Sequence, residues 1–285
     1  MSNDRHFISK ALLGEIFDDK IMRHIGSTYT VTSDAQCECG EDIMLYKLLH
    51  TVENGFYVDI GCSDPFIESV TNFFYQRGWR GINIDAREET IQKYASVRDR
   101  DINWCAALSN ADGKPLTLYV RGGLTSLAKD NVNRLGKETF EERTIVTSTF
   151  NALMEGTHIE DIHFLKIDVE AHEKEVLEGI DLRKYRPWVI VIESVLPNSR
   201  IETHHEWEEI FNENDYMFFT RHAVNRYYLS KEKYQELLEN FLCGLLSNPH
   251  GSHLSVFYAG QAAVENGPQE ARRRPLPALP PQSIF

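Results

Sequence analysis

The chain has 285 residues, 42% of them hydrophobic, and a formal net charge of −13, which suits one large domain with extensions and argues against a surface built to bind nucleic acid. It holds no apolar run of about 18 residues, so no transmembrane helix is expected, and its start, MSNDRH, lacks the apolar core of a signal peptide. Cys37, Cys39, Cys62, Cys105 and Cys243 are sparse, odd in number and without zinc-site spacing, which fits a reduced cytoplasmic protein.

Residues 5–24 have the apolar spacing of an amphipathic helix, residues 27–40 are polar and turn-rich, and 1–40 are read together as an N-terminal helical extension. The main domain is read over 41–258. Asp42–Leu49 is a helix that feeds an apolar run, Phe56–Ile60, stopped by Gly61. Helical spacing follows, with Val70, Phe73, Phe74 and Gly78 on one face, and then a short strand, Ile82–Ile84, ending in Asp85. This is a βαβ unit, with parallel strands and a right-handed crossover. A carboxylate at the end of its second strand is placed to accept hydrogen bonds from a ribose diol lying over the first loop, so a nucleoside cofactor is expected.

A dinucleotide needs G-x-G-x-x-G at that loop, whereas Gly61–Phe66 reads GCSDPF and carries Asp64 where a diphosphate needs amide donors. S-adenosylmethionine has no phosphate and carries a sulfonium and an ammonium, and Asp59 and Asp64 suit those charges. The plainer alternative is an α/β unit with no ligand.

Beyond Asp85, Glu88–Val97 is a helix, Asp101–Ala107 a third strand, Asn110–Gly113 a turn and Leu116–Val120 a strand. Residues 121–142 are polar and form a candidate substrate-facing loop. Thr144–Ser148 is a β-branched strand, and Thr149 caps the short helix after it. Phe164–Ile167 is a buried strand ending in Asp168, Glu173–Glu178 starts a helix, and Trp188–Ile192 is a strand ending in Glu193. Asp59, Asp85, Asp168 and Glu193 thus end four predicted strands, and the carboxyl-end rim of an open parallel sheet is where ligands bind. His204–Asn212 is a helix, Tyr216–Thr220 and Arg226–Leu229 an antiparallel pair, and Lys231–Leu246 a helix. Residues 259–285 lose periodicity and read as a disordered Pro-rich tail, although Arg274–Pro280 fits the R-x-x-P-x-x-P pattern that SH3-type partner domains bind.

Three segments carry a family resemblance: YVDIGCSDPFIESVTNFFYQRGWRGINIDA, DINWCAALS and FLKIDVEAHEKEVLEGIDLRKYRPWVIVIE. They resemble the FkbM family of S-adenosylmethionine-dependent methyltransferases, over roughly residues 40–230. The resemblance implies an α/β, Rossmann-like class I methyltransferase fold. Its sheet has seven strands, mostly parallel, with an antiparallel hairpin of the sixth and seventh strands and helices on both faces. It also implies O-methylation of a hydroxyl on a sugar, a glycan or a glycosylated natural product. By the same resemblance Asp59 and Gly61 match the first cofactor motif, Cys62 and Ser63 follow in its cofactor-binding loop, and Ser63-Asp64-Pro65 stands where the family has a more glycine-rich loop. Asp85, followed by Ala86, matches the ribose-binding acid, and Ala106, Ala107 and Ser109 lie in the adenine-side stretch. Lys166–Glu170 (KIDVE) matches a family motif, and Ala171 stands where the family often has glycine.

Methyl transfer to a weakly nucleophilic hydroxyl needs a base or a metal beside the aligned reactants. His172 is the natural base by intrinsic pKa. Asp168, Glu170 and Glu193 are candidates to surround the hydroxyl, with Asp168 or Glu170 orienting the base or acting as it. All three are equally candidates to hold Mg2+ or another divalent cation through oxygen. The bland readings are a helix N-terminal residue for His172 and a capping acid for Glu170. Two rival functions remain, an NAD-dependent sugar oxidoreductase and a non-catalytic Rossmann-like binding protein. A homo-oligomer and a partner domain for the Pro-rich tail complete the expected partners.

Overall fold

A strand buried on both faces is apolar along most of its length, and the apolar runs of this chain fold that way. The computed structural model describes residues 39–121, 124–126, 140–159, 161–197 and 199–246. The expected helix over 5–24, the tail over 259–285 and most of the 121–142 loop lie outside them.

In chain order the first half comprises α1 (Glu41–Leu49), β1 (Phe56–Ile60), α2 (Val70–Tyr75), β2 (Arg80–Asp85), α3 (Glu88–Val97), β3 (Ile102–Cys105), β4 (Ala107–Leu108), β5 (Pro115–Arg121), β6 (Leu124–Ser126) and β7 (Glu141–Ser148). The second half comprises α4 (Phe150–Met154), β8 (Phe164–Ile167), α5 (Glu173–Glu178), β9 (Val189–Glu193), a 3-10 turn (His204–Glu206), α6 (Glu208–Glu213), β10 (Tyr216–His222), β11 (Asn225–Ser230) and α7 (Tyr234–Leu246). Thr149 caps α4, its Oγ1 accepting from the Ala152 N–H at 3.1 Å.

Seven strands form one sheet in the order β10-β11-β9-β8-β1-β2-β3. β1 runs parallel to β2 and β8, β2 to β3, and β8 to β9, while β11 is antiparallel to β9 and β10. This is the expected Rossmann-like sheet, mostly parallel and ending in an antiparallel hairpin. Strand order reverses between β1 and β8, and a crevice opens outside the carboxyl ends of strands at such a reversal.

Alternating side chains send the strands into two cores. Val58, Ile60, Ile84, Leu165, Ile167 and Ile192 pack against Phe150, Val176 and Phe211 from α4, α5 and α6. Tyr57, Phe164, Val191 and Leu229 pack against Leu45, Phe74, Leu237 and Phe241 from α1, α2 and α7. Burying one such side chain stabilises by roughly 1.5–3 kcal/mol, so covering both faces is what makes the sheet rigid.

Two expectations change. The single strand over Asp101–Ala107 divides, because the chain leaves the large sheet after Cys105 and Ala107–Leu108 pair with Thr147–Ser148 instead. With β5 and β6 they build a second, four-stranded sheet in the order β4-β7-β5-β6. Residues 124–126 and 141–142, expected as part of a loop, are strand residues in it.

Candidate active site

The carboxyl edge of β1 turns at Gly61. Its φ is +80°, and a Cβ there would overlap the Asp168 carbonyl oxygen, so only glycine lets β1 and β8 close at this point. The Gly61 and Cys62 N–H groups both donate to the Ile84 carbonyl, at 2.9 and 3.2 Å, which ties the loop to β2. The rest of the loop is held from below. The Tyr94 hydroxyl, from α3, donates to the Cys62 carbonyl at 2.8 Å. The buried Arg98 guanidinium donates to the Pro65 carbonyl at 2.6 Å and to Ser69 Oγ at 3.2 Å. Asp64, expected to face the cofactor's cationic groups, spends its carboxylate on the loop itself. Its Oδ1 accepts from the Phe66 and Ile67 N–H groups at 3.0 and 3.1 Å, and Lys93 reaches Oδ2 at 3.3 Å.

Asp85 is buried at the end of β2. Its Oδ1 accepts from Arg87 N at 2.9 Å and Nε at 3.1 Å, and its Oδ2 from Arg87 Nη2 and Ser63 N, both at 3.2 Å. Ala86 lies between the paired residues. The Ala106 N–H donates to the Asp85 carbonyl at 3.0 Å, and Ala107 then opens β4. Ser109 follows, its Oγ 3.1 Å from His172 Nε2. The other ring nitrogen, Nδ1, is 3.4 Å from Glu175. Burial lowers the His172 pKa, with Glu175 opposing. His172 therefore stands against Ser109 and Glu175 with both nitrogens engaged.

The acids gather at β1, β8 and β9. Asp59 is buried and sits opposite Lys166 in the β1–β8 register. The Lys166 ammonium lies 3.6 Å from Asp59 Oδ1 and 3.2 Å from Asp168 Oδ2. Burial pulls its pKa down, but Asp168, Asp59 and Glu41 outweigh burial and raise it. Asp59 is raised by burial, with Lys166 opposing. The sequence places Lys166 in the KIDVE motif without a role, although a lysine inside the apolar run FLKI announces a buried cation that needs partners.

After β8 the chain turns sharply, with Glu170 at φ 59° and Ala171 at φ 72°. Glycine adopts such angles without strain, which accounts for the glycine that the family often has at the second. Glu173 secures the turn, its Oε1 accepting from the Val169 and Ala171 N–H groups at 3.2 Å each, and Ser126 Oγ donates to the Glu170 carbonyl at 3.0 Å. Burial and the neighbouring Asp168 raise Glu170 to about 7, with Lys166 opposing. Burial, with Asp168 adding to it, raises Glu173 to about 8. Burial, then Asp168, Glu170 and Glu173, raise Glu193 to about 10.

The metal expectation is corrected here. Among the described residues no three His, Cys, Asp or Glu side chains stand together so as to hold a metal ion, and Asp168, Glu170 and Glu193 do not form such a set. The cation beside Asp168 is the Lys166 ammonium, and burial raises the carboxyls of both Glu170 and Glu193. S-adenosylmethionine fits the edge better. The edge is anionic and suits a cationic ligand: Asp59, Asp85 and Asp168 stand around the Gly61 loop, whose glycine packs against the Asp168 carbonyl and whose Ser63 N–H reaches Asp85, while the Lys166 ammonium lies 3.6 Å from Asp59 Oδ1. A separate cavity of about 280 Å³, lined by Tyr46, His50, Arg77 and Trp79 among others, lies where β1 and β2 begin, away from these residues.

No helix of the described residues is long and apolar enough to cross a membrane. Solved structures with similar coordinates include three methyltransferases. A TehB-like SAM-dependent methyltransferase from Corynebacterium glutamicum is 8% identical, with a TM-score of 0.39 over 78% of this chain and 100% of that one. A precorrin-6y C5,15-methyltransferase from Geobacter metallireducens is 10% identical, with a TM-score of 0.38 over 71% and 93%. An O-methyltransferase from Bacillus cereus, in complex with SAH, is 13% identical, with a TM-score of 0.36 over 79% and 92%. No curated protein matches the chain. Residues 59–218, more than half of the chain, match the family described as the methyltransferase FkbM domain. That span runs from the Asp59 motif through the KIDVE strand to β10, so the chain belongs to the FkbM family of S-adenosylmethionine-dependent methyltransferases.

Proposed function

We propose that this methyltransferase acts on a hydroxyl oxygen of a sugar, a glycan or a glycosylated natural product, with Glu170 taking the hydroxyl proton. The observation that carries the reading is the position of Glu170. It stands at the carboxyl edge two residues past Asp168, on a turn fixed by Glu173 and Ser126, with a carboxyl pKa of about 7. A general base works best with a pKa near the operating pH, and a sugar hydroxyl is too weak a nucleophile to dispense with one.

When bound, S-adenosylmethionine supplies an activated methyl group on a cationic sulfur. The residues of this chain align and shield it. Asp59 and the Gly61–Ser63 loop border the methionine side, Asp85 accepts from the ribose, and Ala106, Ala107 and Ser109 flank the adenine. Lys166 balances Asp59 and Asp168 so that the acid edge does not repel itself. Glu170 would take the acceptor's hydroxyl proton on a carboxylate oxygen, while the methyl group would come to the hydroxyl oxygen by cleavage of the cofactor's sulfur–carbon bond, with S-adenosylhomocysteine as the leaving group. His172, engaged with Ser109 and Glu175, is a positioning group for the adenine side.

The test is methyl transfer from labelled cofactor to glycans, measured across pH. Wild-type rate should rise with pH through about 7, the Glu170 value. Glu170→Gln should lose on the order of 10²–10⁴ in rate while keeping its affinity for S-adenosylhomocysteine. His172→Ala should keep most of its rate. A full rate in Glu170→Gln overturns the assignment of the base.

A further inference from the structure

One acid on this edge stands outside every sequence motif. Glu41 opens α1, and only 7% of it is exposed. Asn225 Nδ2 donates to its Oε1 at 2.6 Å. The second oxygen, Oε2, is buried and receives no hydrogen bond among the described residues. Asn225 is in turn the register partner of Glu193 across the β9–β11 ladder. Paired residues of an antiparallel ladder leave the same face from Cα atoms about 5 Å apart, so Glu193 and Asn225 are side by side. Glu193 Oε2 is likewise buried and without a partner. The Glu41 charge also helps to raise Lys166, which places it in the same electrostatic neighbourhood as Asp59 and Asp168.

Two buried carboxyl oxygens thus flank one amide, and neither receives a hydrogen bond among the described residues. Buried polar atoms are normally satisfied, so an exception asks for a ligand. We propose that Glu41, Asn225 and Glu193 form a hydroxyl-binding subsite for the acceptor, with Glu41 Oε2 accepting from a hydroxyl next to the one that is methylated. The proposal rests on the reading of the acceptor as a polyhydroxylated molecule. Glu193, kept protonated by its burial, offers an O–H donor where Glu41 offers an acceptor. A hydroxyl both gives and takes a hydrogen bond and completes the pair, whereas an ammonium only gives. The sheet order assigns the subsite to the acceptor. β9 and β11 lie beyond β8, on the opposite side from β2, which carries Asp85.

The test uses the full chain saturated with S-adenosylhomocysteine. Methyl glycosides of glucose, galactose and mannose are the hydroxyl probes, butylammonium is the cationic probe, and binding is read by saturation-transfer NMR titration. At least one glycoside should bind the wild type. Glu41→Gln keeps an oxygen for Asn225 but replaces the open acceptor by a donor. It should weaken that glycoside by about 10–100-fold, the loss of one hydrogen bond to a charged group, with S-adenosylhomocysteine affinity unchanged by calorimetry. Asn225→Ser should show the same selective loss and serves if Glu41→Gln does not fold. Unchanged glycoside binding in the folded variant, no glycoside binding to the wild type, or binding of butylammonium alone overturns the subsite. Failure of the wild type to bind S-adenosylhomocysteine overturns the cofactor assignment and the subsite with it, whereas cofactor binding without glycoside binding removes the subsite alone.

Discussion

Arg87 holds the Asp85 carboxylate through its backbone N–H, Nε and Nη2, and with the Ser63 N–H these donors number as many as the lone pairs that a carboxylate offers. A ribose diol that binds Asp85 must therefore take the place of the guanidinium bonds. Asp85→Ala should weaken S-adenosylhomocysteine by about tenfold to a hundredfold, the loss of a charged acceptor, with the fold kept. Arg87→Ala leaves a buried carboxylate short of donors and should lower the melting temperature of the free protein. The ligand should then restore it, so its thermal shift should be larger in Arg87→Ala than in the wild type. Differential scanning fluorimetry with and without ligand reads both, and an equal or smaller shift contradicts the displacement.

Ala171 carries the strain of the turn after β8. With φ at 72°, it sits where glycine is unstrained. Ala171→Gly should remove roughly 1–2 kcal/mol of left-handed strain and give back about 0.5–1 kcal/mol through the freer unfolded chain. The net gain is a rise of about 2–4 °C in melting temperature, readable by calorimetry. A fall in melting temperature would show that the Ala171 methyl group packs usefully.

The raised acids set the sign of the pH dependence of stability. The folded pKa values of Glu173, about 8, and Glu193, about 10, lie above the ordinary 4.5. Above that ordinary value the unfolded chain releases protons that the folded chain keeps, so stability falls as pH rises towards the folded values. Melting temperature should decline from about pH 5 to about pH 9, and Glu193→Gln, which carries no proton to lose, should decline less. Parallel decline of the two proteins would place Glu193 in a more polar setting than its burial indicates.

The sequence makes legible those features whose cause is local. β1, β8 and β9 are covered on both faces and so read as mostly apolar runs, and Asp59, Asp168 and Glu193 lie at or near their carboxyl ends. The small sheet is not legible. In β7, Glu141, Glu142, Thr144 and Val146 face outward, and the strand is held by its ladder to β5 and by Arg143 reaching Glu89 at 2.8 Å. Neither cause leaves an apolar period. Arg87 on Asp85, Lys166 between Asp59 and Asp168, and Asn225 on Glu41 depend on which strands become neighbours, and nothing in the local pattern states that. The turn at Ala171 was half legible, since a missing glycine marks the place and not the angle.

The proposed role of Asp59, Gly61 and Asp85, to hold a cationic nucleoside without phosphates, comes before every other assignment. Calorimetric titration of the wild-type protein with S-adenosylhomocysteine, and separately with NAD, tests it most directly. The account predicts saturable one-site binding of S-adenosylhomocysteine and no heat with NAD. Binding of NAD, or no binding of S-adenosylhomocysteine, would contradict it.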